Sequence, residues 1–149
     1  MKQANVTILG ATGAVGREML KVLLERDFDP ARIRLLASSR SAGTAVECGG
    51  RTFTVEEATD AAFAGADIVL GAVSNALAKQ FAPAIRAAGA VFVDNSSAFR
   101  MDPNVPLVVP EINPGDVSAH AGIISNPNCS TIISMMALYP LAALSPIES

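Results

Sequence analysis

Apolar and polar positions along this chain fall into blocks that read as strand, turn and helix in succession. Val6-Thr7-Ile8-Leu9 is a short apolar run that predicts a strand, and Arg17-Glu18-Met19-Leu20-Lys21-Val22-Leu23-Leu24 carries apolar residues at helical spacing. Ile33-Arg34-Leu35-Leu36-Ala37 predicts a second strand. Val46 and Thr52-Phe53-Thr54-Val55 flank Gly49-Gly50, the pattern of a hairpin with Cys48 near its turn. Ala66 to Ala72 reads as a buried parallel strand, Ala76 to Ala88 as an alanine-rich helix closed by Gly89, and Val91-Phe92-Val93-Asp94 as the next strand. Gly122-Ile123-Ile124-Ser125 then leads into Asn126. Beyond it Thr131-Ile132-Ile133-Ser134-Met135-Met136-Ala137-Leu138 is apolar enough to predict a buried helix. Strands alternating with helices predict an α/β fold with a doubly wound, mostly parallel sheet and active groups at the strand ends.

The first strand and helix are joined by Gly10-Ala11-Thr12-Gly13-Ala14-Val15-Gly16. Strand, glycine-rich turn and helix is the context of a dinucleotide fingerprint, which makes the expected sheet Rossmann-like. Gly10 would permit the tight turn, Gly13 the approach of backbone amides to a pyrophosphate, and Gly16 close packing of helix on strand. The phosphates would lie against the N–H groups of Thr12 to Gly16 at the helix start. The spacing is G-x-x-G-x-x-G, not G-x-G-x-x-G, and a plain tight strand–helix turn stays open as the other reading. The end of the second strand indicates which dinucleotide. An NAD site puts Asp or Glu there to grip the ribose 2′-hydroxyl. Ser38-Ser39-Arg40-Ser41-Ala42-Gly43 offers hydroxyls and an arginine, suited to a 2′-phosphate, so the expected cofactor is NADP. Ser74 and Asn75 follow the carboxyl end of a further strand, where ligands of open α/β sheets bind.

Candidate chemistry sits in Asn126-Pro127-Asn128-Cys129-Ser130-Thr131. Pro127 and Asn128 end extended chain and start helices, which puts Cys129 in or just before a first turn. Unpaired N–H groups and the helix dipole there favour thiolate over thiol and could steady an oxyanion. The other reading is an inert cysteine. Cys48 lacks the helix-start setting and is expected to be structural. Arg100, after Asn95-Ser96-Ser97, could hold a phosphate or carboxylate with two hydrogen bonds, or be a solvated surface arginine. His120, the one histidine, lies in a polar loop and is a weak candidate for a general base.

Composition narrows the classes. The chain has 149 residues, enough for one α/β domain with a core. A formal net charge of −3 and a pI near 5.0 give no electrostatic reason to bind nucleic acid. Lys2 is followed by polar residues and a short strand, not by the apolar region of a signal peptide. The longest apolar stretch is broken by Ser134 and Pro140 and is too short to cross a bilayer. Two cysteines in unrelated settings fit reduced thiols in the cytoplasm.

Gly10–Gly16, Ser38–Gly43, Asp94-Asn95-Ser96-Ser97-Ala98-Phe99-Arg100, Val105-Pro106-Leu107-Val108-Val109-Pro110-Glu111-Ile112-Asn113 and Asn126–Thr131 together resemble, in order and spacing, the bacterial aspartate-β-semialdehyde dehydrogenases. The resemblance covers essentially the whole chain but only the amino-terminal part of that family's usual length. It implies NADP-dependent interconversion of L-4-aspartyl phosphate and L-aspartate 4-semialdehyde, a step toward lysine, methionine and threonine. It also implies a small-molecule substrate with phosphate, and a homo-oligomer for the full-length family. Cys129 would form a thiohemiacetal and then a thioester, Arg100 with Asn95 would hold phosphate, and Asn128 would orient the nucleophile's surroundings.

N-acetyl-γ-glutamyl-phosphate reductases carry Asn-Pro-Gly-Cys-Tyr around the nucleophile, where this chain has Asn-Pro-Asn-Cys-Ser. The family's catalytic histidine, glutamine and substrate arginine lie in a second domain, beyond about where this chain stops at Ser149. Residues 1–149 are therefore expected to be the cofactor domain, inactive alone, with an exposed apolar patch where the family's carboxy-terminal helix packs. A stand-alone dinucleotide-binding module or sensor with Cys129 idle is the alternative of another class.

Overall fold

A computed structural model describes residues 4–145; Lys2 and Ser149, on which the leader and domain-end readings drew, lie outside the described residues. Seven strands form one sheet in the order β3-β4-β2-β1-β5-β6-β7: β1 Val6–Leu9, β2 Ile33–Ala37, β3 Ala45–Cys48, β4 Arg51–Glu57, β5 Ile68–Gly71, β6 Val91–Asp94 and β7 Ile123–Ser125. All neighbours run parallel except β3, which pairs antiparallel with β4. The expected doubly wound sheet is the one observed. β1, β2 and β6 have the bounds their apolar runs imply, and the hairpin turns at Gly49 and Gly50, both at positive φ.

Helix α1, Ala14–Glu25, joins β1 to β2, and helix α2, Asn75–Ala87, joins β5 to β6. Side chains alternate across the strands, so the two helices close opposite faces. Ile8 and Leu35 pack with Leu20, Met19 and Leu23 of α1, whereas Leu9, Val69 and Phe92 pack with Ala78, Phe81 and Ile85 of α2. A forked pair across the sheet, Arg34 Nη2 to Glu56 Oε2 at 2.8 Å, ties β2 to β4. The hydrogen bond to Arg34 holds the Glu56 carboxyl below its ordinary range.

Two features depart from the pattern-based reading. Helix α3, Cys129–Leu144, is present, but none of its residues is buried; Ile133 is 72% and Leu144 85% exposed. The expectation of burial follows from its apolar content, yet among its described residues only Ile132 and Met135 are even half-covered. The sheet shows the same gap. On the α1 side Ile68, Leu70, Val93 and Ile124 are only half-buried, while their α2-side neighbours Val69, Phe92 and Ile123 are buried. Apolar surface is thus exposed on α3 and half-exposed on this side of β5, β6 and β7. The short 3₁₀ turns at Pro30–Arg32, Asp60–Phe63 and Pro114–Ala119 have no periodicity to betray them in the sequence.

Candidate active site

The glycine-rich turn is held over the carboxyl ends of β1 and β2. The N–H groups of Gly10 and Ala11 both donate to the carbonyl of Leu36, at 2.8 and 3.1 Å, and Gly13 N–H donates to Gly10 O at 3.1 Å. Gly10 has φ +89°, and a Cβ there would run into the carbonyl oxygen of Ala72 and meet Val73 at 2.9 Å. At Gly16 a Cβ would meet Ala11 Cα at 2.7 Å, so both glycines are fixed by close packing within the chain. Gly13 differs. A Cβ there would meet only Gly10 O, at 3.4 Å, so its side toward solvent is open to an approaching ligand.

Gly13 caps α1 without a side-chain bond, which leaves the first-turn N–H groups of Ala14, Val15 and Gly16 with no side-chain cap. Gly10, Thr12, Gly13 and Ser38 line a cleft of about 400 Å³ together with apolar Ala58, Phe81 and Leu77. An apolar lining beside uncapped N–H groups suits an adenosine and its phosphates, so the residues present fit a dinucleotide.

Arg40 and Ser41 lie in the turn just beyond Ser38, where Ser41 N–H donates to Ser38 O at 2.9 Å. Arg40 is exposed and its side chain has no hydrogen-bond partner among the described residues. Ser74 does not line the cleft although Val73 and Leu77 do; its hydroxyl caps α2 by accepting from Leu77 N–H at 3.5 Å.

The second half of the site stands at the ends of β6 and β7. Asn128 caps α3, its Oδ1 accepting from Ser130 N–H at 2.9 Å, and Cys129 is the first helical residue, exposed to solvent. The helix-start position read from Pro127 and Asn128 is the one observed. Arg100 donates from Nε to Asn126 O at 2.9 Å and from Nη2 to Asn95 O at 2.8 Å, leaving Nη1 without a partner among the described residues. Arg100 is thus half-buried and anchored, not the solvated surface residue of the other reading. The cleft follows the carboxyl ends of β1, β2 and β5 and the thiol follows that of β7, so both stand at the same end of the parallel strands.

His120 is elsewhere. Its Nδ1 accepts from Gly122 N–H at 3.0 Å, next to the starts of β6 and β7, so the ring stands at the opposite end of the strands from Cys129. What the sequence reading missed is the bracing of the loops, in which Asn75 and Asn95 take part besides the places read for them. Asp94, fully buried, takes the N–H and hydroxyl of Ser96 at 3.0 and 2.6 Å; Asn75 and Ser97 bond one another twice; Asn126 bonds Asn95. Polar residues at strand ends were the available signal, but which loop each meets depends on strand order.

The exposure of the two thiols gives a direct expectation. Cys129 is exposed and Cys48 half-buried beside the hairpin turn, so iodoacetamide should modify Cys129 first. A mass-spectrometric time course checks this, and modification of Cys48 ahead of Cys129 would remove the basis for a nucleophile.

The family model described as semialdehyde dehydrogenase, NAD binding domain, matches residues 5–120. The aspartate-semialdehyde dehydrogenase of Synechocystis sp. is 53% identical over 143 residues, 96% of this chain and 42% of the relative. Among solved structures, aspartate semialdehyde dehydrogenase II of Vibrio cholerae, complexed with ASA, aligns with TM-score 0.89 and 43% identity over 95% of this chain and 47% of its own. The Candida albicans aspartate semialdehyde dehydrogenase with NADP aligns with TM-score 0.71 and 27% identity, covering 94% and 47%. The chain spans less than half the length of each of these relatives.

Proposed function

The chain belongs to the semialdehyde dehydrogenase family and carries its nicotinamide-dinucleotide-binding fold, and from that premise we propose that residues 1–149 form the cofactor domain of an aspartate-semialdehyde dehydrogenase. The reaction is the NADP-dependent interconversion of L-4-aspartyl phosphate and L-aspartate 4-semialdehyde, in the cytoplasm and on a small-molecule substrate. The observation that carries the reading is an exposed thiol at a capped helix start, at the end of the parallel strands that also bears the glycine-rich turn.

In this reading the Cys129 sulfur attacks the carbonyl carbon, and the oxyanion that forms takes the first-turn N–H groups of α3. The free Nη1 of Arg100, with the Asn95 loop behind it, holds the phosphate oxygens that leave or arrive. Asn128 keeps the first turn of α3 wound around the sulfur. Gly10, Thr12, Gly13, Ala14, Val15 and Gly16 cradle the dinucleotide phosphates, and Ser74 holds the α2 end of the cleft. A bound nicotinamide supplies the hydride acceptor or donor. His120, at the other end of β7 from Cys129, is not placed to move the proton. The test of the activity is turnover by this chain joined to the carboxy-terminal part of the Synechocystis relative. Aspartyl phosphate should be reduced and N-acetylglutamyl phosphate should not; the reverse preference would overturn the substrate assignment.

The choice of NADP rests on Ser38, Arg40 and Ser41, with no acid at the end of β2. Arg40→Ala should weaken NADP by about 1.5–3 kcal/mol, the worth of one charge-assisted bond, and leave NAD nearly unchanged. Equal weakening of both in titration calorimetry would refute a 2′-phosphate contact.

A further inference from the structure

Three side chains close a ring where the loops after β6 and β7 meet. Arg100 joins the carbonyls of Asn95 and Asn126, and the Asn126 side-chain amide donates to Oδ1 of Asn95. All three residues are half-buried. A fourth tie runs from the backbone N–H of Asn126 to Asp94 O at 2.8 Å, continuing the ladder between the strands. After Asn126 the chain has one stiff, buried residue, Pro127, before the cap Asn128 and the thiol. The ring therefore fixes where α3 starts relative to the guanidinium.

We infer that Asn126, paired with Asn95, is a positioning residue that holds the Cys129 thiol at a set place beside the Arg100 cation. The inference rests on the nucleophile and oxyanion roles proposed above. The pair is suited to this place because it is neutral: two amides brace the loops without adding a charge that would oppose the substrate phosphate. It also leaves Nη1 of Arg100 available, so an oxyanion can bind while the ring stays closed. Three Cα steps limit Cys129 to roughly 11 Å from Asn126, whose carbonyl the Arg100 guanidinium bonds. At 0.01 M salt the Debye length is about 30 Å, so in dilute buffer a reagent at the sulfur senses the cation.

The test compares an anionic and a neutral alkylating reagent on the 149-residue chain. Rates with iodoacetate and iodoacetamide are read at Cys129 by mass spectrometry in dilute buffer, with Cys48 as internal reference. The iodoacetate-to-iodoacetamide ratio at Cys129 should exceed that at Cys48 severalfold and should fall toward it in Asn126→Leu. Asn95→Ala removes the same bond and should give the same fall. The double variant should fall no further than either single, since the two share one interaction.

Ratios unchanged in both single variants, or losses that add in the double, would overturn the inference. If Asn126→Leu does not fold, Asn95→Ala decides. Loss of the parent far-UV spectrum in both would also overturn it, by making the pair a determinant of the fold. A parent ratio no higher than that at Cys48 would defeat the proposed role of Arg100 instead. The pair is then judged on the absolute iodoacetamide rate at Cys129, which changes in both single variants if the pair positions the thiol and is unchanged if it does not.

Discussion

The 149-residue segment, purified by itself, is expected to show no measurable turnover of aspartate semialdehyde, although it presents a thiol and a dinucleotide cleft. A positioned acid or base contributes about 10²–10⁴-fold, or 3–5 kcal/mol of barrier. The lone histidine of the chain is not placed to supply it: its ring is held by Gly122 N–H before the amino end of β7, with the length of that strand between it and Cys129. With Arg100 given to phosphate, the proposed site leaves no cation among the described residues assigned to the substrate carboxylate, so orientation is lost as well. Joining the carboxy-terminal part of a relative should restore turnover, and Cys129→Ala should abolish it again. Activity from the segment alone, lost in Cys129→Ala, would mean that a base exists among these residues at the Cys129 end of the strands.

Gly10→Ala is expected to unfold the domain far more readily than Gly13→Ala, though both lie in the same turn. At Gly10 the backbone is left-handed, φ +89°, which costs an L side chain roughly 1–2 kcal/mol. The methyl would also collide with the backbone of Ala72, an atom pinned by the Ala72 N–H bond to Leu9 O at 2.8 Å, and overpacking adds about 1–3 kcal/mol. The sum, roughly 2–5 kcal/mol, corresponds to a fall in Tm of about 6–15 °C for a domain of this size. Gly13 has φ −73°, ordinary for any residue, and open space before it, so Gly13→Ala should cost no more than about 1 kcal/mol as a poorer helix cap. Its loss should be in NADP affinity, because the methyl occupies the approach to the pyrophosphate. Thermal unfolding and cofactor titration on the two variants separate the effects. A stability loss at Gly13 equal to that at Gly10 would refute the division of labour.

What the sequence revealed and what it hid follow from the range of the forces involved. The runs Val6–Leu9, Ile33–Ala37 and Val91–Asp94 are legible because strands in the middle of a parallel sheet are mostly apolar, each of these carrying one polar residue, and Gly49-Gly50 because a two-residue hairpin needs positive φ twice. Cys129 at a helix start was legible because Asn128 acts on residues two positions away. The ties of Arg100 were not, since Asn126 is 26 residues distant and meets it only because β7 lies beside β6. Likewise the face of His120 is set by which end of β7 the loop enters. The burial of α3 was misjudged for a related reason: apolar content says what a helix favours as surroundings, not which segment provides them.

Local stability is graded across this molecule, and the grading runs against the chemistry. Amides in β1 and β5, enclosed by neighbours on both sides, can open only with the domain as a whole. Helix α3 has no buried residue to anchor it, contains Pro140, and carries β-branched Thr131, Ile132 and Ile133 in its first turns, so it should open at a smaller free energy than the sheet. In the proposed mechanism its N–H groups can meet the oxyanion only while the helix is wound. The electrostatic advantage at Cys129 is therefore weighted by the wound fraction of α3, and any surface that docks along the helix raises that fraction without touching the sulfur.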